Sequence, residues 1–132
     1  MEQDRRRFCI GDGELVVQRP GPGVVLYVIK GRMTPEFVPH FRQAAQSVVD
    51  LGRQVSVFFD TEGMRGYHPA FRDQMTAWHA ELKPMTRRAG VLVRSRVVQM
   101  AIAIANMVTG GLLVSYSDRA KFEAAIRDAL MQ

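Results

Sequence analysis

Residues 55–82 read VSVFFDTEGMRGYHPAFRDQMTAWHAEL. The nearly continuous apolar run at residues 55–59 is typical of a buried strand, and the glycines and polar residues of 60–68 predict a loop. Residues 69–82 place four large side chains on one side of a helix, namely Phe71, Met75, Trp78 and Leu82. A strand, a loop and an amphipathic helix form the repeating unit of an α/β sheet, which usually meets ligands at the carboxyl ends of its strands. We therefore expect function in and after this loop.

Apolar runs and turn residues elsewhere predict further strands and helices. Gly11-Asp12-Gly13 predicts a tight hairpin, and the prolines and glycines of residues 19–23 predict a loop. Thr34 and Pro35 predict the start of a first helix. A proline at the fifth position of that helix removes a backbone hydrogen bond, so the regular helix is expected to begin only at Pro39. The predicted strands are residues 8–10, 15–17, 24–29, 55–59, 90–93 and 112–116, and the predicted helices are residues 35–49, 69–82, 96–108 and 118–130. This alternation predicts an α/β fold with a mixed β-sheet, a parallel core, an N-terminal hairpin and about four helices.

Length and composition predict one domain. The chain has 132 residues, 47% of them hydrophobic, and no repeat or low-complexity tract divides it. We expect residues 1–132 to form a single domain in which residues 1–6 are flexible. The single Cys9 cannot form an internal disulfide, and no apolar leader or transmembrane segment is visible, so we expect a cytoplasmic protein.

The net charge of +5 comes mainly from fifteen arginines against three lysines. Arginine forms paired hydrogen bonds with carboxylates and phosphates, so this bias fits an anionic partner. A GC-rich coding bias explains it equally well, because the arginines are spread along the chain. The sequence has neither an aromatic-plus-glycine RNA-binding signature nor a helix-turn-helix pattern, so nucleic acid is not the expected partner.

The order of these elements resembles a known family. A hairpin and a central strand are followed by helices interleaved with strands, and the chain closes on a strand, a polar turn and an alanine-rich helix, YSDRAKFEAA in residues 116–125. This order is similar to the STAS-type fold of anti-sigma-factor antagonists, and more closely to its SpoIIAA-like branch. The resemblance implies a regulatory module that binds a protein partner and is not an enzyme.

One position departs from that family. Its antagonists carry an Asp-Ser pair whose serine, at the start of the second helix, is phosphorylated; here Arg65-Gly66 takes that place. We therefore expect no phosphoserine switch, with Gly66 at the start of the helix. Donor side chains near a helix N-terminus favour an anion or an acidic protein surface, and the candidates are Arg65, Tyr67, His68 and Arg72. A solvated loop is the alternative interpretation.

No catalytic, metal or cofactor motif is visible. The sequence lacks a nucleophile elbow, a Walker loop and a dinucleotide-binding glycine pattern. His68 and His79 would lie about 16 Å apart along a helix and cannot share a metal ion. We expect His40, His68 and His79 to be surface or boundary residues. Asp60 and Glu62 could act as a carboxylate pair, but nothing else in the sequence supports this role, so we predict no enzyme and no cofactor.

The helix predicted at residues 96–108 is apolar nearly all round and too short to span a bilayer. We expect Val97, Ala101, Ile104 and Val108 to face the sheet. The outer side is then predicted to form a homotypic interface, most simply a dimer, through Val98, Gln99, Ile102, Ala103 and Asn106. Burial within the domain and contact with lipid are the alternatives.

Two functions remain for the chain as a whole. It is expected to be a protein-interaction module, or a domain that binds a small ligand, an anion or a lipid at the carboxyl ends of the strands.

Overall fold

A computed structural model describes residues 5–132 of the chain and contains one six-stranded sheet. The strands lie in the order in which they occur along the chain: β1 (Arg5–Ile10), β2 (Gly13–Gly21), β3 (Val24–Met33), β4 (Val55–Tyr67), β5 (Thr86–Leu92) and β6 (Val114–Tyr116). β1, β2 and β3 pair antiparallel, and β3 to β6 pair parallel. The predicted mixed sheet with a hairpin and a parallel core is confirmed.

Four helices cover the sheet unequally. They are α1 (Val38–Val49), α2 (Pro69–Leu82), α3 (Arg96–Thr109) and α4 (Arg119–Leu130). α1, α2 and α3 pack on one face, around a core that contains Phe41, Trp78 and Ile102. α4 lies on the opposite face, where Phe122 packs against Phe58 and Leu92. Alternate residues of β4 therefore enter two separate cores.

An aromatic cluster joins α1 and α2 to the centre of the sheet. The ring of Tyr27 stacks on Phe41 and Phe59 and meets Trp78 edge-on. Its hydroxyl donates a hydrogen bond of 2.8 Å to the carbonyl of Phe41, and burial raises the pKa of Tyr27. This bond satisfies the polar end of an otherwise buried side chain.

The N-terminal half differs from its prediction in three places. Arg5 and Arg6, expected in a flexible end, are paired in β1, whereas the rest of that predicted end lies outside the described residues. Residues 19–21, predicted to be loop, belong to β2, whose pairing with β3 is irregular between Gln18 and Gly21. A 3-10 turn over Pro35–Phe37 precedes α1, so the regular helix does begin near Pro39 as the sequence indicates.

The largest difference concerns residues 60–67, which were predicted to be a loop and instead continue β4. Residues 63–67 pair with a shorter continuation of β3, residues 30–33, in which Lys30 lies opposite Gly63 and Met33 opposite Tyr67. A side chain at residue 63 would approach the Lys30 side chain to 2.9 Å, so glycine permits the close strand packing here. The carboxyl ends of β3 and β4 consequently project beyond β5 and β6.

Within residues 5–132, no helix combines the length and the apolar character needed to cross a lipid bilayer.

Candidate functional site

Two carboxylates and two arginines meet beside the projecting end of β4. Arg119, the first residue of α4, donates to Asp60 at 2.9 Å and forms a short ion pair with Glu62. Arg94 also lies 3.4 Å from Glu62. The hydrogen bond from Arg119 holds the pKa of Glu62 below its usual value. Both carboxylates accept hydrogen bonds from arginine, so neither is left as an unpaired base. The ion pairs of Arg119 also tie α4 to the sheet.

The four predicted anion-binding residues do not form one cluster. Tyr67 and Arg72 line the same cavity, whereas Arg65 and His68 are exposed outside its lining. His68 is the N-cap of α2, and its Nδ1 accepts from the backbone N–H of Ala70 at 3.0 Å. One of the helix donors expected to attract an anion is therefore already satisfied. Anion binding by these residues stays a prediction.

Gly66 does not lie at the start of α2. It is part of β4, opposite Arg32 of β3, and α2 begins at Pro69. The expectation that Gly66 begins the helix is therefore wrong, because the strand runs further than its glycines suggest. The first turn of α2 nevertheless carries no hydroxyl side chain, since Pro69, Ala70 and Phe71 follow the His68 cap.

A narrow cavity of about 80 Å³ lies between α2, α3 and the inner face of the sheet. Buried apolar residues such as Phe59, Met75 and Ile102 form its inner part. The half-buried lining residues mark its opening between the two helices: Met64, Tyr67, Arg72, Thr76 and Ala101. The Tyr67 hydroxyl, 3.4 Å from the carbonyl of Val97, joins β4 to the first turn of α3 at this opening.

His79 is buried against this cavity, contrary to its prediction as a boundary residue. It is 5% exposed, and its ring meets Phe59 edge-on at 5.4 Å. Its Nδ1 has no hydrogen-bond partner among residues 5–132. Burial lowers the pKa of His79 to about 4, so the imidazole is neutral at physiological pH. The sequence placed His79 at the border of the α2 apolar stripe but could not show that α3 packs over that border.

The two sides of α3 are the reverse of those predicted. The buried residues are Val98, Ile102, Ala105 and Thr109, whereas three of the four expected inner residues, Val97, Ile104 and Val108, are exposed. Thr109 can face inward because its hydroxyl donates to the carbonyl of Ala105 at 3.0 Å. A homotypic contact through Val98 and Ile102 is therefore excluded, since both side chains belong to the core of their own domain.

The other three predicted interface residues have different environments. Gln99 and Ala103 are exposed, but Asn106 is half-buried and bonded to its own chain. Its side-chain amide donates to the carbonyl of Leu113 at 3.0 Å and accepts from the N–H of Leu113 at 2.9 Å. Asn106 thus fixes the turn that leads from α3 to β6.

The outward side of α3 carries large apolar residues that the sequence did not assign to a surface. Met100 is 65% exposed and Met107 is 85% exposed. With Val97, Ile104 and Val108 they form a stripe at helical spacing, which we call the outer stripe of α3. The sequence predicts that Val97, Ile104 and Val108 face the sheet, and it assigns no side to Met100 and Met107.

The described residues offer no metal site: across residues 5–132, no three histidine, cysteine, aspartate or glutamate side chains lie close enough together to bind a metal ion.

Comparisons with known proteins identify the fold. No family model and no curated protein matches the chain. The solved structure of the anti-sigma-factor antagonist SpoIIAA in its unphosphorylated form superposes with a TM-score of 0.64 at 12% identity, over 86% of this chain and 97% of that one. An anti-sigma-factor antagonist from Mycobacterium paratuberculosis gives 0.60 at 18% identity, over 88% and 95%. An uncharacterised protein with a SpoIIAA-like fold from Shewanella loihica gives 0.58 at 12% identity, over 86% and 92%. The chain has the STAS-type, SpoIIAA-like fold that the order of its elements resembled.

Proposed function

We propose that this chain is a non-catalytic, regulatory protein-interaction module that works in the cytoplasm, and that two copies associate through the outer stripe of α3. The observation that carries the proposal is the stripe itself, in which the side chains of Met100, Met107 and their apolar neighbours are exposed to solvent. Isolated exposed apolar residues are ordinary, but a continuous stripe along one helix is typical of an interaction surface. Two of the structures that share the fold are anti-sigma-factor antagonists, and their names imply protein partners.

The chemistry of the stripe favours a second copy as the partner. Two-fold pairing brings the same surface of both copies together, so a stripe that carried charges of one sign would repel itself. Residues 97–109 contain no charged side chain. α3 has 14 residues and is about 21 Å long, so its face is smaller than the roughly 800 Å² per partner that stable complexes bury. We therefore expect a weak dimer that forms at micromolar concentration.

The environment of the carboxylates supports a role without catalysis. Asp60 and Glu62 lie where an α/β enzyme could hold acidic groups, but both are held in ion pairs by Arg119. A general base needs an available lone pair directed at a substrate.

The same proposal includes the absence of a phosphoserine switch at α2. The first turn of that helix carries no hydroxyl side chain, which supports this part of the proposal.

Sedimentation velocity from low to high micromolar concentration tests the dimer. We expect the wild-type protein to shift from monomer to dimer, and Met107→Glu to remain a monomer with unchanged circular dichroism, because each copy would have to bury an unpaired carboxylate against the apolar stripe of the other. Leu51→Glu is the matched control, since Leu51 is exposed at the end of α1, away from the stripe, and should leave the dimer intact. A wild-type protein that is monomeric throughout, or a Leu51→Glu variant as impaired as Met107→Glu, would overturn the proposal.

A further inference from the structure

A polar hollow lies at the amino ends of β3, β4 and β5, beside the last turn of α4, and has a volume of about 210 Å³. We infer that it binds a phosphate monoester, whose oxygens accept hydrogen bonds from Arg53, Arg87 and the hydroxyl of Ser56. The hollow shares no residue with the outer stripe of α3, so this inference does not depend on the proposed dimer.

The first observation is a pair of arginines without a counter-ion. Arg53, in the loop before β4, and Arg87, the second residue of β5, both line the hollow. Neither forms a hydrogen bond or an ion pair with any residue of the range 5–132, whereas Arg42 and Arg119, for example, hold carboxylates. No aspartate or glutamate is among the described residues that line the hollow. Two guanidinium groups in one hollow without a carboxylate favour an anion from outside.

The position of Arg53 places its charge at the wall of the hollow. A Cβ at residue 23 would lie 3.9 Å from Nη1 of Arg53, so the guanidinium lies against the turn between β2 and β3. Gly23 and Pro22 of that turn are part of the same lining. The turn is in addition fixed to β4, because the carbonyl of Gly23 accepts a hydrogen bond of 2.8 Å from the N–H of Ser56.

The second observation is the hydroxyl of Ser56. This residue is only 3% exposed and stands between Val55 and Val57, where the strand is otherwise apolar. The hydroxyl has no hydrogen-bond partner within residues 5–132, and it keeps accessible surface, unlike Nδ1 of His79. Because Ser56 lines the hollow, a ligand can reach this group. Buried hydroxyls are nearly always hydrogen-bonded, so Ser56 offers a third donor to a bound oxygen.

These donors favour a phosphate monoester over a carboxylate. Such an ester has three terminal oxygens and a charge of about −2 at neutral pH, whereas a carboxylate has two oxygens and a single charge. The end of α4, which lines the hollow through Ala129, opposes an anion, because a helix C-terminus is equivalent to roughly half a negative charge. The two positive charges of Arg53 and Arg87 exceed that contribution.

Calorimetric titration of the full chain with glycerol 3-phosphate, at about 0.1 M ionic strength, tests the inference. We expect saturable binding with a Kd of about 1 mM or tighter, and a loss of at least about tenfold in each of Arg53→Gln and Arg87→Gln. Ser56→Ala should weaken binding at least about threefold. Arg65→Gln is the matched control. It removes the same charge from the far end of β4, more than a Debye length away, and should change the affinity by less than about twofold.

Amide NMR of the wild-type protein locates the site without any variant. The signals of Gly23 and Ser56 should shift as glycerol 3-phosphate saturates the protein, while those of Gly63 and Gly66, towards the other end of β4, should stay constant. Cosedimentation with phosphatidylcholine vesicles, with and without phosphatidic acid, distinguishes two sources of the phosphate. Capture by the phosphatidic acid vesicles that Arg53→Gln abolishes identifies a lipid headgroup, and binding of glycerol 3-phosphate alone identifies a soluble ester.

Three results would overturn the inference. The first is a wild-type protein that binds neither glycerol 3-phosphate nor the phosphatidic acid vesicles. The second is binding that both Arg53→Gln and Arg87→Gln leave intact. The third is an Arg65→Gln variant as impaired as these two, which would place the anion at the carboxyl ends of the strands instead.

Discussion

Nη2 of Arg119 lies 2.9 Å from Oδ2 of Asp60 and so ties the first residue of α4 to β4. The Asp60 side chain is only 12% exposed, whereas that of Arg119 is 41% exposed, so the pair is sheltered on one side. α4 is the one helix on its face of the sheet within residues 5–132, and this contact joins its first residue to β4. The pair therefore adds a polar connection to the apolar packing that holds this layer on the sheet.

We expect Arg119→Gln to lower the free energy of unfolding by about 1–2 kcal/mol, less than for a fully buried pair because Arg119 is partly solvated. The loss arises because the sheltered Asp60 carboxylate is left without its cation. Urea unfolding measures it, with Glu123→Gln as control, since that carboxylate is 3.7 Å from Arg119 on the exposed surface and should change stability by less than about 0.5 kcal/mol. Equal effects of the two substitutions would contradict the structural role of the Asp60 pair.

The order and type of the elements could be predicted because each depends on nearby residues. The stripe of Phe71, Met75, Trp78 and Leu82 is buried as the helical spacing indicates, and Gly110 ends α3 in the left-handed conformation expected of a C-cap glycine. These features follow from local periodicity and backbone sterics, which a single sequence contains.

The predictions that the structure contradicts concern features that depend on contacts between distant segments. The continuation of β4 needs the matching continuation of β3, so Gly63 and Gly66 looked like turn residues when the segment was considered alone. α3 carries two overlapping apolar stripes, and hydrophobicity alone cannot select the one that includes Thr109. Burial of His79 likewise depends on α3 packing beside α2. The sequence indicates a pocket at the carboxyl ends of the strands as one alternative, but its place between α2, α3 and the sheet depends on how these distant segments pack.

His79 should make the protein sensitive to acid. Burial lowers the pKa of the imidazole to about 4, from 6.5 in the unfolded chain, so between these values the unfolded chain binds a proton that the folded protein does not. The contribution of His79 to the free energy of unfolding is therefore fully present above pH 6.5. It is lost as the pH falls towards 4, and the loss is about 3 kcal/mol in total.

Urea unfolding of wild type and His79→Phe at pH 7 and at about pH 5 isolates this contribution, because the carboxylates titrate in both proteins. The wild type should lose about 2 kcal/mol more than the variant between these two pH values. Parallel losses in the two proteins would show that His79 is able to take up a proton in the folded state.

Opposite sides of α3 should respond differently to the same charge. Ile102→Asp places an unpaired carboxylate in the core and should cost more than about 4 kcal/mol, enough to unfold the domain. Met107→Asp places the same group in water and should leave circular dichroism and thermal stability nearly unchanged. A folded Ile102→Asp protein would show that the assignment of the two sides is incorrect.

We expect no stoichiometric phosphate on Thr61 or Tyr67, the hydroxyl residues closest to the position of the family serine. Thr61 is buried, and its hydroxyl donates to the carbonyl of Leu92 at 2.6 Å, so a kinase would have to open the sheet to reach it. The Tyr67 hydroxyl lies against the first turn of α3. Mass-spectrometric mapping of protein purified from its native host checks this, and a fully occupied site on either residue would mean that the switch has moved along β4.

Alanine substitutions at Gly31 and Gly11 can be compared to measure the steric crowding where β3 passes the hairpin between β1 and β2. Both have positive φ angles, 73° and 59°, so alanine at either position should cost about 1–2 kcal/mol in backbone strain. A Cβ at residue 31 would also lie 2.1 Å from the carbonyl oxygen of Asp12, whereas one at residue 11 meets no atom of the described chain within 4 Å. We therefore expect Gly31→Ala to be the more destabilising substitution by at least about 1 kcal/mol, since the backbone of the hairpin would have to move. Urea unfolding of the two variants compares them directly. Equal losses would mean that the hairpin can shift away from β3 without cost, and that the close approach at Asp12 does not constrain the fold.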